Sequence, residues 1–331
     1  MVKMKDVALK AEVSQATVSR VINGSTYVEP YTRQKVLDVI EELGYKVNSA
    51  AKALSSKKSS VIAVILPDIS NPYFAEILNV IENEAYQSGY EVIFMNSQGN
   101  EHKEKKLIDN ILKYKPLGVV LSPLDNEENY SKKLIENKIP VVTMGKLSQN
   151  FSGVSINHKV GGELLAKHFV SLGHEKIGYI GNKDDKFKGF KDGLASLNVN
   201  LKDENCIDFY NYSSINIKEA VYSSLEKYLK KHKKFDFTAI FTGNDIVAME
   251  VINFFRDKGI KVPEDIAVAG FDNISFTSYL SITTVAQPVR EIAFLAFERL
   301  MMEAKSGNKE IKHIEILPRL IPRDSTVKFF K

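Results

Sequence analysis

Tryptophan is absent from this chain of 331 residues, and cysteine occurs once, as Cys206. A lone cysteine excludes an internal disulfide and any cysteine-cluster zinc site. In the stretch CIDFY it is expected to be a small buried residue of a strand. No apolar run reaches the length of a membrane helix, and the first residues hold no apolar signal core, so a cytoplasmic location is expected. The chain also lacks the G-x-x-x-x-G-K-[ST] loop, the G-x-S-x-G elbow and the H-E-x-x-H helix. Its six histidines are dispersed, and no ligand set surrounds His168 and His174. Gly161-Gly162 follows a strand without the rest of a dinucleotide fingerprint. The expectation is a protein that is not an enzyme and uses no metal or cofactor.

Arginine is scarce as well, which makes its placement informative. The composition is ordinary for a globular protein, 44% hydrophobic and 26% charged, with a net charge of +4. Residues 1–60 hold ten Lys and Arg against six Asp and Glu; the remaining residues hold 35 of each sign. All the excess positive charge therefore sits at one end, the footprint of a nucleic-acid contact.

That end has a readable pattern. Met4, Val7, Ala8 and Ala11 recur at helical spacing, with Asp6 in the first turn. The chain turns through Glu12 and Val13, Ser14 can cap a second helix, and Val18, Val21 and Ile22 face inward before Gly24 ends it. The outer face carries Gln15, Ala16, Thr17, Ser19, Arg20 and Asn23, amides and hydroxyls where Lys and Glu would be ordinary. Periodicity alone fits a plain two-helix packing element as well as a DNA reader. A third helix starts at Pro30, has Thr32 in its first turn, and carries an apolar stripe of Val36, Leu37, Ile40 and Leu43 before Gly44. The following NSAAKALSS, read by itself, is a short linker.

From Val61 the chain alternates unbroken apolar strands with helical stretches, about ten times. Such strands belong to parallel sheets covered on both faces, and ten units fit two lobes better than one sheet. Ligands in doubly wound folds bind where strand-end loops converge. Those loops are DISNPYF (68–74), SPLD (122–125), MGK (144–146), GNKDDKFKG (181–189), TGND (242–245) and GFDN (270–273). Taken alone, Asp245 and Asp272 fit a helix cap or a turn as well as a ligand. His174, in SLGHEKIGYIG, is expected to pack or cap.

The string VSQATVSRVING resembles the DNA-reading helix of the LacI/GalR family of bacterial transcriptional regulators, and TRQKVLDVIEELGY resembles the helix that follows it. The resemblance runs from Met4 to about Arg323. It implies an α/β fold: a small all-α helix-turn-helix headpiece (1–46), a hinge helix and linker (47–60), and a two-lobed, doubly wound, periplasmic-binding-protein-like core. The lobes would be 61–157 plus 288–318, and 158–287 plus 319–331, with crossings near Asn157, Gln287 and Pro318. It implies a homodimeric regulator, most often a repressor, on a near-palindromic operator and hence nucleoid-associated. Gln15, Ala16 and Arg20 would read bases, while Ser14, Thr17, Ser19, Asn23 and Thr32 would hold phosphates. Asn48, Ala51 and Leu54 would belong to the hinge helix, with Leu54 as a minor-groove wedge. Val47 and Lys52 depart from the family's Pro and Arg there.

In the core, the family's effector contacts map to Asn71, Tyr73, Phe74, Lys186, Tyr212, Asn244 and Asp272. The family's bidentate Arg is Lys186 here, and its Asp-Arg pair is Gly145-Lys146, so a simple sugar pocket is in doubt. A sugar or a phosphorylated sugar is the expected effector. The alternative is control by a phosphorylated carrier protein, as in catabolite control proteins, although Glu298 stands where those place an Arg, with Arg299 beside it. A solute-binding protein or enzyme on the same core is the reading from another class.

Overall fold

A computed structural model of the chain describes residues 2–22, 27–45, 59–124, 127–208, 216–307 and 310–327. It divides into two units, Met1–Ser59 and Ser60–Lys331. In the first, helices α1 (Met4–Lys10), α2 (Gln15–Ile22) and α3 (Pro30–Glu42) enclose a small core. Val7, Ala8, Ala11, Val18, Val21, Val28, Val36 and Val39 are buried in it. Asp6 accepts from the Lys3 amide at 2.8 Å at the start of α1, and Ser14 Oγ accepts from the Thr17 amide at 3.1 Å at the start of α2. Glu12 takes φ +57 in the turn between them. The stripe expected on α3 holds at Val36, Ile40 and Leu43 and differs at one member: Leu37 is exposed and Val39 is buried in its place. Val36, Val39, Ile40 and Leu43 follow the i, i+3, i+4, i+7 spacing, and Leu37 falls a full step round from that face.

Among its described residues the second unit contains two six-stranded sheets. The first holds β1 (Val61–Leu66), β2 (Glu91–Asn96), β3 (Gly118–Leu121), β4 (Val141–Met144), β5 (Ser152–Ile156) and β11 (His313–Ile316), in the order β11-β5-β4-β3-β1-β2 and parallel throughout. The second holds β6 (Ile177–Gly181), β7 (Cys206–Asp208), β8 (Ala239–Thr242), β9 (Ala267–Asp272), β10 (Thr283–Ala286) and β12 (Arg319–Ile321), in the order β12-β10-β9-β8-β6-β7, with only β12 antiparallel. Residues 62–66 of β1 are all fully buried, because helices cover both faces. On the first sheet these are α4 (Pro72–Gln87) with α12 (Val289–Ser306), and α5 (Glu101–Ile111) with α6 (Glu127–Glu136). On the second they are α7 (His158–Ser171) with α8 (Asp185–Ser196), and α9 (Ile217–His232) with α10 (Asp245–Asp257); the short α11 (Phe276–Tyr279) lies between β9 and β10.

The chain leaves the first sheet after Ile156, returns after Ala286 through α12, and leaves again between β11 and β12. These three passages place the carboxyl ends of both sheets around one cleft. Cys206 departs from expectation: it is half-buried at the start of the edge strand β7, with its thiol 3.6 Å from the Lys202 carbonyl. His174 is buried, with Nδ1 2.8 Å from Thr238 Oγ1 and its ring edge-on to Phe169. It ties the turn after α7 to the segment before β8.

Candidate functional site

In the helical unit, α2 turns Val18 and Val21 into the core and leaves Gln15, Ala16 and Arg20 exposed. Thr17 and Ser19 are half-buried beside them, and Ser14 is exposed with its oxygen shared between the Thr17 amide and hydroxyl. The nearby basic charges Lys10 and Lys35 are tied to Glu42 at 2.5 Å and Glu12 at 2.8 Å. Thr32 is half-buried on the first turn of α3. Tyr27 and Tyr31, which the sequence pattern did not single out, stand 92% and 79% exposed next to it. Asn23, Asn48, Ala51 and Leu54 lie outside the described residues, as does the rest of the expected hinge stretch.

The cleft between the two sheets encloses a cavity of about 280 Å³, room for a ligand of monosaccharide or nucleobase size. Asn71, Tyr73, Phe74, Lys186, Asn244 and Asp272 all line it; Tyr212 lies outside the described residues. Several of these side chains hold the cleft together as well as facing it. Asn71 caps α4 by accepting from the Tyr73 amide at 3.0 Å. Tyr73 is buried and donates to Gln287 at 3.1 Å. Phe74 is half-buried and packs edge-on against Tyr73, its ring centroid 5.0 Å away.

Asn244, not Asp245, caps α10, accepting from the Val247 amide at 2.9 Å. Asp245 is instead fully buried behind the cleft, where it accepts from Thr284 Oγ1 at 2.6 Å and the Ile274 amide at 2.9 Å. Asp272 ends β9 at φ +114 and accepts from Gln287 Nε2 at 2.6 Å. Burial pushes the Asp272 carboxyl up to about 6, although the Lys186 ammonium and the Gln287 amide pull it back. Asp245 is pushed well above the carboxylate range by burial and by the charge of Asp272.

The cations of the cleft are already engaged. Lys186 Nζ lies 3.1 Å from Asp184 and 5.2 Å from the centre of the Phe271 ring. Lys146 Nζ donates to the Leu124 carbonyl at 2.8 Å. His158, whose ring stacks on Phe271, is pushed down to about 4 by burial and then by Lys186, so it is neutral at pH 7. His158, Ser122, Asp184, Asp185 and Gln287 line the cavity but were not selected from the sequence. Their signal was position alone: each lies in a strand-end loop or a passage between sheets.

One rim residue has a measurable consequence. Glu104 is buried on α5 and accepts from the Leu124 amide at 3.2 Å, so it and Lys146 hold both backbone polar groups of Leu124. Burial pushes its carboxyl up to about 7. A carboxyl raised in the folded state favours folding below its unfolded value, and that contribution is lost as pH rises from about 4.5 to about 7. Glu104→Gln is therefore expected to be neutral at pH 4 and to gain up to about 3 kcal/mol over the parent at pH 8. Urea unfolding at the two pH values checks this, and an equal difference at both would contradict it.

Among the described residues no group of three or more His, Cys, Asp or Glu is placed to hold a metal. No helix there is long and apolar enough to cross a membrane.

Residues 3–48 match the family model of the bacterial regulatory proteins, lacI family, and residues 166–326 match a periplasmic binding protein-like domain. Catabolite control protein A of Priestia megaterium is 32% identical across 98% of this chain and 99% of its own length. The HTH-type transcriptional repressor PurR of Photobacterium profundum is 32% identical across 98% of each. Among solved structures, a LacI family transcriptional regulator from Silicibacter pomeroyi matches with a TM-score of 0.83 at 26% identity, over 98% of this chain and 99% of that one. The lac repressor dimer bound to operator and the anti-inducer ONPF shares the fold, with a TM-score of 0.82 at 22% identity over 99% of each chain.

Proposed function

The chain belongs to the LacI family of bacterial regulatory proteins, and from that premise we propose that it represses transcription as a dimer on a near-palindromic operator, governed by a small uncharged ligand in the cleft. The observation that carries the DNA half is the outer face of α2, where Gln15, Ala16 and Arg20 stand exposed within the first 60 residues, which carry the chain's whole net charge of +4. Arg20 offers a bidentate donor to guanine, and Ser14, Thr17 and Ser19 offer hydroxyls to phosphate. Its place of work would be the cytoplasm, at the nucleoid.

The ligand half rests on the charge of the cleft. Both of its lysines are engaged within the protein, and Asp184, Asp185 and Asp272 outnumber them. This favours a polyhydroxylated ligand without phosphate over a phosphorylated sugar. Control by a phosphorylated carrier protein has less support: the Arg299 side chain is 13% exposed and binds Glu303 at 2.9 Å and Ser152 at 3.1 Å. Glu298, at the position of interest, is half-buried and of the wrong sign for a phosphate.

The test is selection of fragmented genomic DNA by the full chain at fixed salt. Recovery of a recurring near-palindrome is expected; retention without sequence preference, fading as salt rises, would mean that only phosphates are read and would sink the reading. Arg20→Ala should cost about 1–3 kcal/mol of operator binding and relax one position of the site. A uniform loss across all sequences would place Arg20 on a phosphate instead. A solute-binding protein or enzyme of this fold would retain no DNA at all.

A further inference from the structure

Gln287 lies in the passage that carries the chain from the second sheet back to the first, and it is buried. Its amide nitrogen donates to Asp272 Oδ1 at 2.6 Å, and its amide oxygen accepts from the Tyr73 hydroxyl at 3.1 Å. Asp272 ends β9 of one lobe and Tyr73 opens α4 of the other, so a single side chain joins the lobes across the cleft. The direction of the relay is set by chemistry. An ionised carboxylate can only accept, so turning the amide round would place its oxygen against Asp272. All three side chains are at most 9% exposed, and all three line the cavity. Asp272 holds φ +114, backbone that an L residue adopts only when its surroundings fix it.

We infer that Gln287 is the lobe-coupling residue of the cleft: a positioning residue that makes the separation of the lobes depend on what Asp272 binds. A ligand hydroxyl that donates to Asp272 competes for the acceptor that Gln287 uses. The Tyr73 hydroxyl, on the other lobe, registers the change through the amide. The groups facing Asp272 are Asp245 behind it, Lys186 and Asp184 at the start of α8, and Gln287 itself. His158, which stacks on Phe271 and feels the charges of Lys186, Asp184 and Asp185, stays neutral above about pH 5. What the coupling serves rests on the effector reading given above; the coupling itself can be tested without a ligand.

Hydrogen–deuterium exchange on the full chain, followed in peptides 72–77 and 267–272, provides the test. Tyr73→Phe keeps the ring and removes only the donor. Gln287→Met keeps the length and removes both bonds. Each is expected to speed exchange in the first peptide about tenfold, the loss of one buried hydrogen bond. The double variant should add little to either single one, since both break the same chain. Gln287→Glu sets a second carboxylate against Asp272. It should exchange like Gln287→Met at pH 8 and recover toward the parent at pH 5, where one shared proton restores a donor.

Additive effects of the two substitutions, or a Gln287→Glu variant indifferent to pH, would reduce Gln287 to a space-filler and overturn the inference. If Gln287→Met does not fold, Tyr73→Phe and Gln287→Glu decide between these outcomes. Failure to find any small molecule that alters DNA retention would count against the effector reading and leave these exchange rates as they are.

Discussion

Alanine at Gly189 is expected to cost about 3 kcal/mol or more of stability, a loss near the upper end for a single added methyl group. The reason lies in how α7 and α8 meet. A Cβ at Gly189 would stand 2.0 Å from the Lys159 carbonyl oxygen, and one at Gly162 would stand 2.1 Å from the Lys186 carbonyl oxygen. Both obstacles are backbone, so no side chain can swing aside, and the helices would have to separate. Separation would break the packing of Leu165, Phe169, Phe190 and Leu194, all fully buried between the helices and the second sheet. It would also move His158 and Lys186, which stand at the two helix starts in the cleft wall. Gly193→Ala is the internal comparison: its Cβ would meet the Ala166 methyl group at 2.9 Å and the Glu163 Cα at 3.1 Å, a clash that also needs a shift but a much smaller one than 2.0 Å demands. Urea midpoints should fall far more for Gly189→Ala than for Gly193→Ala. Equal losses would show that the helices have slack and that the close approach is not structural.

Gly162 also shows where a sequence stops being legible. Gly161-Gly162 invited comparison with a nucleotide-binding turn, since two glycines after a strand are the visible part of that motif. Gly161 instead leaves room for Phe271 and Val285 of the sheet, and Gly162 belongs to a helix contact whose other half, Gly189 and Gly193, sits a whole strand later. The strands themselves were readable because parallel sheets buried on both faces need unbroken runs such as VIAVIL and AIFT. The face of α2 was readable because Gln, Thr, Ser and Arg replace the usual Lys and Glu. Within the cleft, the strand-end loops were identifiable but the partners were not. Asn244 and Asp245 are neighbours in sequence, yet one caps a helix at the rim and the other is sealed behind it with Thr284, 39 residues on. Gln287 carried no motif at all; its role depends on two residues, one of them 214 positions earlier. The lysines failed differently. Their charge was visible, but the Leu124 carbonyl that engages Lys146 lies 22 residues away, and the ion pair of Lys186 with nearby Asp184 depends on how the start of α8 turns the two side chains.

Residues 60–331 expressed alone are expected to fold as they do in the whole chain and to lose sequence-specific DNA retention, by a factor of about 10³ or more. The second unit has its own core: the two sheets and their covering helices bury Phe169, Phe190, Phe241, Phe254, Phe271 and Phe297 without help from residues before Ser60. What it lacks is the means to hold DNA. Beyond residue 60 the acidic and basic side chains are equal in number, so no net field replaces the lost contacts. The reciprocal fragment, residues 1–59, should fare differently. Its core is eight small or β-branched side chains, and a domain of that size is marginal by itself. It should bind DNA weakly, with strong dependence on salt, because one unit offers one reading helix and a few phosphate contacts. Retention of the selected operator by each fragment, measured at two salt concentrations, separates these outcomes. Specific binding by residues 60–331 would remove α2 from the recognition surface. Loss of specific binding by both fragments together with its retention by the whole chain is the expected result if, as proposed, affinity depends on two reading helices brought together in a dimer.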